Sequence, residues 1–592
     1  MNRYRAYYPM DEAPSKAGDT FFVGLDNRRA PAQLEEGLVS VATNVRMRYG
    51  RVQPRGGSMI LKWMKTHGNR LGSRAWQEIY GCGRFYDPET GVEHWLIAAD
   101  GGVWDALANQ PATQLLLAPG TVLNAETFSG FVQCFNGVLL LLGEGAAPLY
   151  LSSLVSGFEA LAGTFQGING PAFTGASDNT ATVYPLVTSL PACRQGCYMG
   201  NRFWGVHGAD TVVYSDLFDP TAYFVLAQLR INEGNGDRLV AVYPYDRNTL
   251  LCFKEHSVLR LENCTGDLSG VTLVPMTSKY GCVSPTSIVD IGTDTFWMSE
   301  RGVTSLRQTQ QNELQGTSVT LSEPIEATMQ RINWQARAGI CGETWNNFLY
   351  FAVPLDGSPT NNAVLVFDLL NQKWASVDEG GPGTALRQFQ KLRVQGRERL
   401  CAVGMDGTLR LLEEGGHDQT YRFVLGEHGG PLHTAVAIPT RVVTRGYLAN
   451  EADRKRWKQA KLQVATTNPT YSVRTITEGA FETCAYVTNQ TRVRGRHTQR
   501  DTVDWDPTAT TGPESVHATP FREDYSLLVT STGFQLNDGA HPDQLQTFTH
   551  GLPIGERGHA LQIDLTNTTG RLELLSIECA GTEDERRLAA RV

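Results

Sequence analysis

Cys193 and Cys197, with three residues between them and His207 ten further on, are the nearest thing in this chain to a metal-binding pair. No second pair follows at zinc-finger or zinc-ribbon spacing, so two metal-free thiols are expected. Asp290, Glu300 and Glu343 fall near the ends of expected strands. Such acids can cleave glycosidic bonds in pairs, but pairing depends on separation in space, and solvated turn carboxylates are the simpler reading. Between Arg454 and Arg500 the chain carries ten basic residues against Glu478 and Glu482. Arg454, Lys455, Arg456, Lys458, Lys461, Arg492, Arg494, Arg496 and Arg500 form a candidate electrostatic contact patch, with Arg474 between them. The alternation from Arg492 to Arg496 gives one charged strand face. It can meet phosphates or an acidic partner; hydration or a bridge to a neighbouring subunit is weighted above DNA binding.

No nucleophile elbow, His-Glu-x-x-His, phosphate-binding loop or calcium-loop spacing occurs. Gly81-Cys82-Gly83 and Gly143-Glu144-Gly145 lack the third glycine of a dinucleotide fingerprint and read as turns. The expectation is therefore no catalytic residue, no cofactor and no metal. Eleven scattered cysteines, an odd number, argue against a disulfide framework; several lie in apolar strands, as small buried hydrophobes. Three glycosylation-type sequons, at Asn263, Asn489 and Asn567, are given no role. The first residues, with Arg3, Arg5, Asp11 and Glu12, do not read as a signal peptide. The apolar run at 138–142 is too short to span a bilayer. A net charge of −9 counts against a surface built throughout for nucleic acid.

The elements that must hold these residues are strands. With 592 residues, 60 of them glycine, and turn dipeptides at short intervals, the chain reads as all-β with two or three domains. A strand–turn–strand–turn–strand unit recurs at 79–105, 131–142, 196–214, 238–261, 286–306, 337–368 and 392–412. Asn136-Gly137 suits a type I′ hairpin in the second. Segments 271–275 and 317–321 are candidate outer strands. Repeats of roughly 45–65 residues are expected of a β-propeller of about seven blades, range six to eight, against a β-sandwich built from similar alternation. The boundaries are an N-terminal arm and closing hairpin at 1–60, with the alternating hairpin 45–52 completing a blade. A propeller follows at 61–415, with loop insertions at 107–128 and 155–190. A C-terminal β-rich, sandwich-like domain takes 416–592, with strands at 440–444, 461–466, 525–530, 560–566 and 571–579.

Residues 27–57 (NRRAPAQLEEGLVSVATNVRMRYGRVQPRGG) resemble the opening of the tail nozzle, tail tubular or stabilisation proteins of short-tailed bacteriophages. Residues 202–224, 250–261, 281–289, 296–305, 322–325 and 346–374 follow the order of phrases in that family, and 559–580 resemble it loosely. The resemblance implies a structural virion protein of the tail, assembled in the host bacterial cytoplasm as a homo-oligomer, typically a hexamer. Its partners would be tail adaptor or head-to-tail connector proteins, fibres or a needle, and double-stranded DNA in transit, with no membrane span. The competing readings are a propeller that degrades glycans and a host-receptor-binding module.

Overall fold

A computed structural model describes residues 15–583 apart from 62–64, 68–69, 73–77, 107–111, 162–186, 189, 221–222, 225–226, 267, 395, 424–430, 449–453, 467–470, 478–484, 487–490, 494–503, 506–515, 518–526, 530–545, 555–556 and 569–570. Strands dominate, so the chain is all-β as expected. It divides into two compact units, which do not follow the linear boundaries. One comprises Met1–Arg55, Asn371–Val377 and Ala437–Val592, the other Gly56–Leu370 and Asp378–Val436.

The larger unit is a succession of antiparallel meanders. The first sheet is Ile79–Tyr86, Glu93–Ala99, Gly102–Ala106 and Thr113–Leu115. The second is Gly130–Cys134, Gly137–Leu141, Leu149–Leu151 and Phe158–Ala160. The third is Gln195–Met199, Arg202–His207, Thr211–Tyr214 and Gln228–Arg230. The fourth is Leu239–Pro244, Leu250–Lys254, Val258–Glu262 and Thr272–Thr277. Three-stranded pieces follow at Val289–Asp290, Thr295–Ser299 and Gly302–Ser305, and at Cys341–Trp345, Phe348–Val353 and Ala363–Asp368. The last is Leu386–Val394, Arg397–Gly404 and Leu409–Leu411.

The second strand of each meander is a run of apolar residues because both faces are covered by neighbouring sheets. In Glu93–Ala99 the side chains divide by parity. Trp95, Ile97 and Ala99 pack with Leu392, Val394, Cys401 and Val403 of the last sheet. Leu96 and Ala98 pack with Val138, Leu140 and Leu151 of the second. The same division continues between the second and third, third and fourth, and fourth and fifth sheets. First and last sheets are thus neighbours, and the ring closes: the unit is a β-propeller.

Glutamine amides tie the first strands of adjacent sheets together. Gln388 donates from Nε2 to the Cys82 carbonyl, and its Oε1 accepts from the Cys82 amide, both at 2.9 Å. Gln133 does the same to Tyr86 (3.0 and 3.2 Å) and Gln195 to Val242 (3.0 and 2.8 Å).

Closure is made by a segment other than the expected hairpin. Met59–Ile60 pairs with the last sheet, Ile60 opposite Arg410 and Met59 opposite Leu411. Arg410 is fully buried, donating to the Gln419 carbonyl (2.7 Å) and Ser58 Oγ (3.4 Å) and pairing with Asp406. The Ser58 amide donates to Asp418 at 2.9 Å. Gly57 is glycine because a Cβ there would lie 2.0 Å from the His417 carbonyl oxygen. The hairpin Val45–Arg48/Arg51–Pro54 belongs instead to the smaller unit, where Val52 pairs with Leu574.

Other local expectations shift as well. The tight turn of the second sheet is Phe135-Asn136, one residue earlier than expected, with Cys134 opposite Gly137. Gly137 is needed for packing rather than turning, since a Cβ would meet the Leu151 carbonyl at 2.3 Å. Gly81 and Gly83 lie in mid-strand, with Phe128, just before the next sheet, and Phe131, in its first strand, against their backbone. Residues 317–321 form no strand; a helix, Leu306–Gln315, follows the fifth sheet. It starts at Ser305, whose Oγ accepts from the Gln308 amide, and stops at Gly316 with φ 67°. The stretches 107–128 and 155–190, read as insertions, contain the outer strands of the first and second sheets; 107–111, 162–186 and 189 lie outside the described residues.

The smaller unit holds two sheets. In one, the hairpin, Leu572–Glu583, Lys455–Thr466 and Gln546–Pro553 lie side by side, with Ser15–Asp19 on Leu572–Glu583. The other runs through Gly24–Leu25, Leu38–Thr43, Thr440–Thr444, Leu561–Asn567 and Ser472–Thr477. Buried Asp19 is a node here, accepting from the Tyr447 hydroxyl (2.9 Å), Arg445 Nε (3.0 Å) and the Gly37 amide (3.3 Å). Burial, then the Asp19 charge, hold the Tyr447 phenol well above its usual pKa.

Candidate functional site

The basic patch forms in part on Lys455–Thr466. A register shift between Trp457 and Gln459 breaks the alternation along this strand: Trp457 before it and Ala460, Leu462 and Val464 after it face the interior, which leaves Arg456, Lys458 and Lys461 exposed, with Arg454 exposed just before the strand. Lys455 does not belong to the patch: it faces inward, fully buried, and its Nζ donates to the Leu448 carbonyl at 2.6 Å. Lys461 lies 3.6 Å from Glu578, which also receives Lys16 at 3.1 Å. The Lys16 hydrogen bond, ahead of the Lys461 charge, holds the Glu578 carboxyl below its usual range. Arg474, opposite Asp564, is on the other sheet. Arg492 lies on Thr491–Val493, but its side chain, like Arg494, Arg496 and Arg500, lies outside the described residues.

The two units differ in charge. The smaller holds 28 Lys and Arg against 25 Asp and Glu, formally +3. The propeller unit holds 24 against 36, formally −12.

The residues flagged for metal or acid–base chemistry are engaged elsewhere. Cys193 packs between the second and third sheets, whereas Cys197 packs against the core between the third and fourth. Burial pushes the Cys193 thiol up to about 12. His207 Nδ1 contacts the Ala192 carbonyl at 2.8 Å. Among the described residues, no group of three or more His, Cys, Asp or Glu could hold a metal ion. Glu300 contacts Arg337 at 2.6 Å and His256 at 3.7 Å. Glu343 contacts Lys391 at 3.0 Å, and Asp290 accepts from the Gly292 amide at 2.8 Å. Tyr243 lies close enough to Asp290 and Glu343 for their charges to add to burial in pushing its phenol up to about 12.

A cleft absent from the sequence reading lies between the first turns of the third and fourth sheets. Residues 198–201 and 244–247 line a volume of about 570 Å³. Tyr245 is 47% exposed at its rim, and Phe218 nearby is 57% exposed. Phe135 packs edge-on against Tyr198 (4.9 Å between ring centres) and lies 6.1 Å from Phe218, whose amide donates to the Asn201 carbonyl at 2.9 Å. Phe135, Asn201 and Phe218 all have left-handed backbone, with φ of 50°, 61° and 61°. For a non-glycine residue this costs roughly 1–2 kcal/mol, and for bulky phenylalanines it is exceptional. The signal available in sequence was an aromatic beside each of several turns, but nothing local brings those turns together.

No helix among the described residues is long and apolar enough to cross a membrane. No protein-family description matches the chain, and no curated protein does. Solved structures align partially and at low identity. BamB from Moraxella catarrhalis is 10% identical over 61% of this chain and 97% of its own, with a TM-score of 0.30. Saccharomyces cerevisiae Sqt1 is 11% identical over 67% of this chain and 96% of its own, with a TM-score of 0.35. BBS1N, solved in complex with ARL6DN, is 9% identical over 59% of this chain and 96% of its own, with a TM-score of 0.34.

Proposed function

We propose that this chain is a non-enzymatic structural protein of a bacteriophage tail, a seven-bladed propeller with a sandwich-like second domain. Six copies form the nozzle ring through which the genome leaves. The ring sits in the virion below the connector and carries fibres or a needle. The observation that carries the reading is the construction of the propeller: its sheets are packed by apolar side chains, tied at their first strands by glutamine amides, and locked at the seam by a buried arginine. This is a rigid building block. The order of family-like phrases from residue 27 to 374 supplies the setting.

The charge division fits the same reading. A unit of +3 carrying an exposed basic strand and a unit of −12 on one chain favour head-to-tail contact between copies, the kind of contact that makes a ring when the rotation from copy to copy closes. An acidic propeller repels a passing duplex instead of gripping it. Mass photometry of the full-length chain with its tail adaptors tests the proposal. A species near 390 kDa, about six times the 65.1 kDa chain, or a larger one containing adaptor, is expected. A chain that stays at 65.1 kDa with adaptors present overturns it.

A further inference from the structure

We infer that the cleft between residues 198–201 and 244–247 is a binding site for a neutral oligosaccharide. Its rim and flank expose two aromatic rings together, Tyr245 and Phe218. Phe135 and Phe218 hold their rings in place from left-handed backbone, a conformation disfavoured for phenylalanine. Backbone held against its local preference, at two bulky residues beside one cleft, points to a role beyond packing.

The polar groups select the ligand class. Asp246 uses one oxygen on the Asn248 amide (2.7 Å) and the other on the Thr249 hydroxyl (3.0 Å), leaving further acceptor capacity on both. Arg247 makes no hydrogen bond or ion pair with any described residue, and it is exposed. Asn201 accepts weakly from the Tyr198 hydroxyl (3.5 Å) through its side-chain oxygen, leaving its NH₂ free to donate. One carboxylate, one guanidinium and one amide sum to zero charge and offer both donors and acceptors. Flat apolar rings beside them suit a sugar, whose C–H face stacks on an aromatic while its hydroxyls reach sideways. The volume falls within the range of small-ligand sites, about 300–1,000 Å³. A single-stranded nucleic acid would also stack on aromatics, but its phosphates would enter the field of a unit carrying −12.

The inference stands apart from the ring: a chain that remains monomeric leaves it untouched. Saturation-transfer NMR on the full-length chain, with maltohexaose, cellohexaose and chitotetraose as probes and oligothymidylate as the counter-probe, tests it. At least one saccharide is expected to bind. Tyr245→Ala and Phe218→Ala should each weaken it about tenfold or more, Arg247→Gln about threefold, and Tyr245→Phe less than twofold. All three positions are on the surface, and an unchanged circular dichroism melt separates lost binding from lost folding. Binding by none of the three saccharides, tighter binding of oligothymidylate, or saccharide affinity that survives Tyr245→Ala overturns the inference.

Discussion

Replacing Arg410 by methionine keeps a long apolar stem in the seam of the propeller and removes its guanidinium. The Gln419 carbonyl and Ser58 hydroxyl then lose their donor in a buried setting, at about 1–3 kcal/mol each. Asp406 is 45% exposed on its side chain and regains water, so its pair contributes little. Some of the loss is offset, because the native guanidinium is itself buried with its Nε unpartnered. The net is about 2–3 kcal/mol against opening of the seam, or about 30- to 150-fold faster exchange of the amides it protects. Those amides are identifiable: Gly57 donates to Gly415, Ser58 to Asp418, Ile60 to Gln419 and Leu61 to Leu409. Hydrogen–deuterium exchange with mass spectrometry on peptides covering 56–61 reads the effect, and the third and fourth sheets serve as internal controls. Unchanged exchange at 56–61, or an equal rise in all sheets, would refute the idea that Arg410 acts as a local lock.

Gln388→Leu removes both hydrogen bonds to Cys82 and leaves that backbone pair unsatisfied, so a loss of about 1–3 kcal/mol in urea unfolding is expected, with Gln388→Glu intermediate. Burial pushes the thiols of Cys193, Cys341, Cys401 and Cys579 up to about 12, so in alkali the unfolded chain loses these protons first. Their contribution is intact below about pH 8.5 and falls by roughly 1.4 kcal/mol per thiol per pH unit from there towards pH 12. A urea midpoint that stays level from pH 8 to 10 under reducing conditions would contradict this. Arg456→Glu with Lys458→Glu should leave the melting temperature within a few degrees, since both side chains are exposed. It should weaken self-association about tenfold or more at low salt, read by mass photometry, and unaltered assembly would detach the basic strand from the interface.

Much of the propeller was legible because its middle strands are apolar on both faces and separated by turn residues, as in Leu250–Lys254 and Phe348–Val353. The seam was not. Met59–Ile60 is two residues long, and its partner lies some 350 positions away, so no periodicity marks it. The helix Leu306–Gln315 was hidden because LRQTQQNELQ has no apolar stripe, although Ser305 and Gly316 punctuate its ends. In the basic patch, charge along the sequence picked out Arg456, Lys458 and Lys461, which share the exposed face only because the register shifts after Trp457. Simple charge counting misjudged Lys455, which points the other way along the same strand. The cleft combines turns from successive sheets, and its left-handed phenylalanines look ordinary in sequence.

The paired glutamine bonds have a mechanical consequence. Each tie grips one residue of the adjacent strand by both its amide and its carbonyl, so sliding one sheet past its neighbour loads two bonds at once instead of one after the other. A torque on the propeller meets its stiffest resistance near the inner strands, and the outer edges yield first.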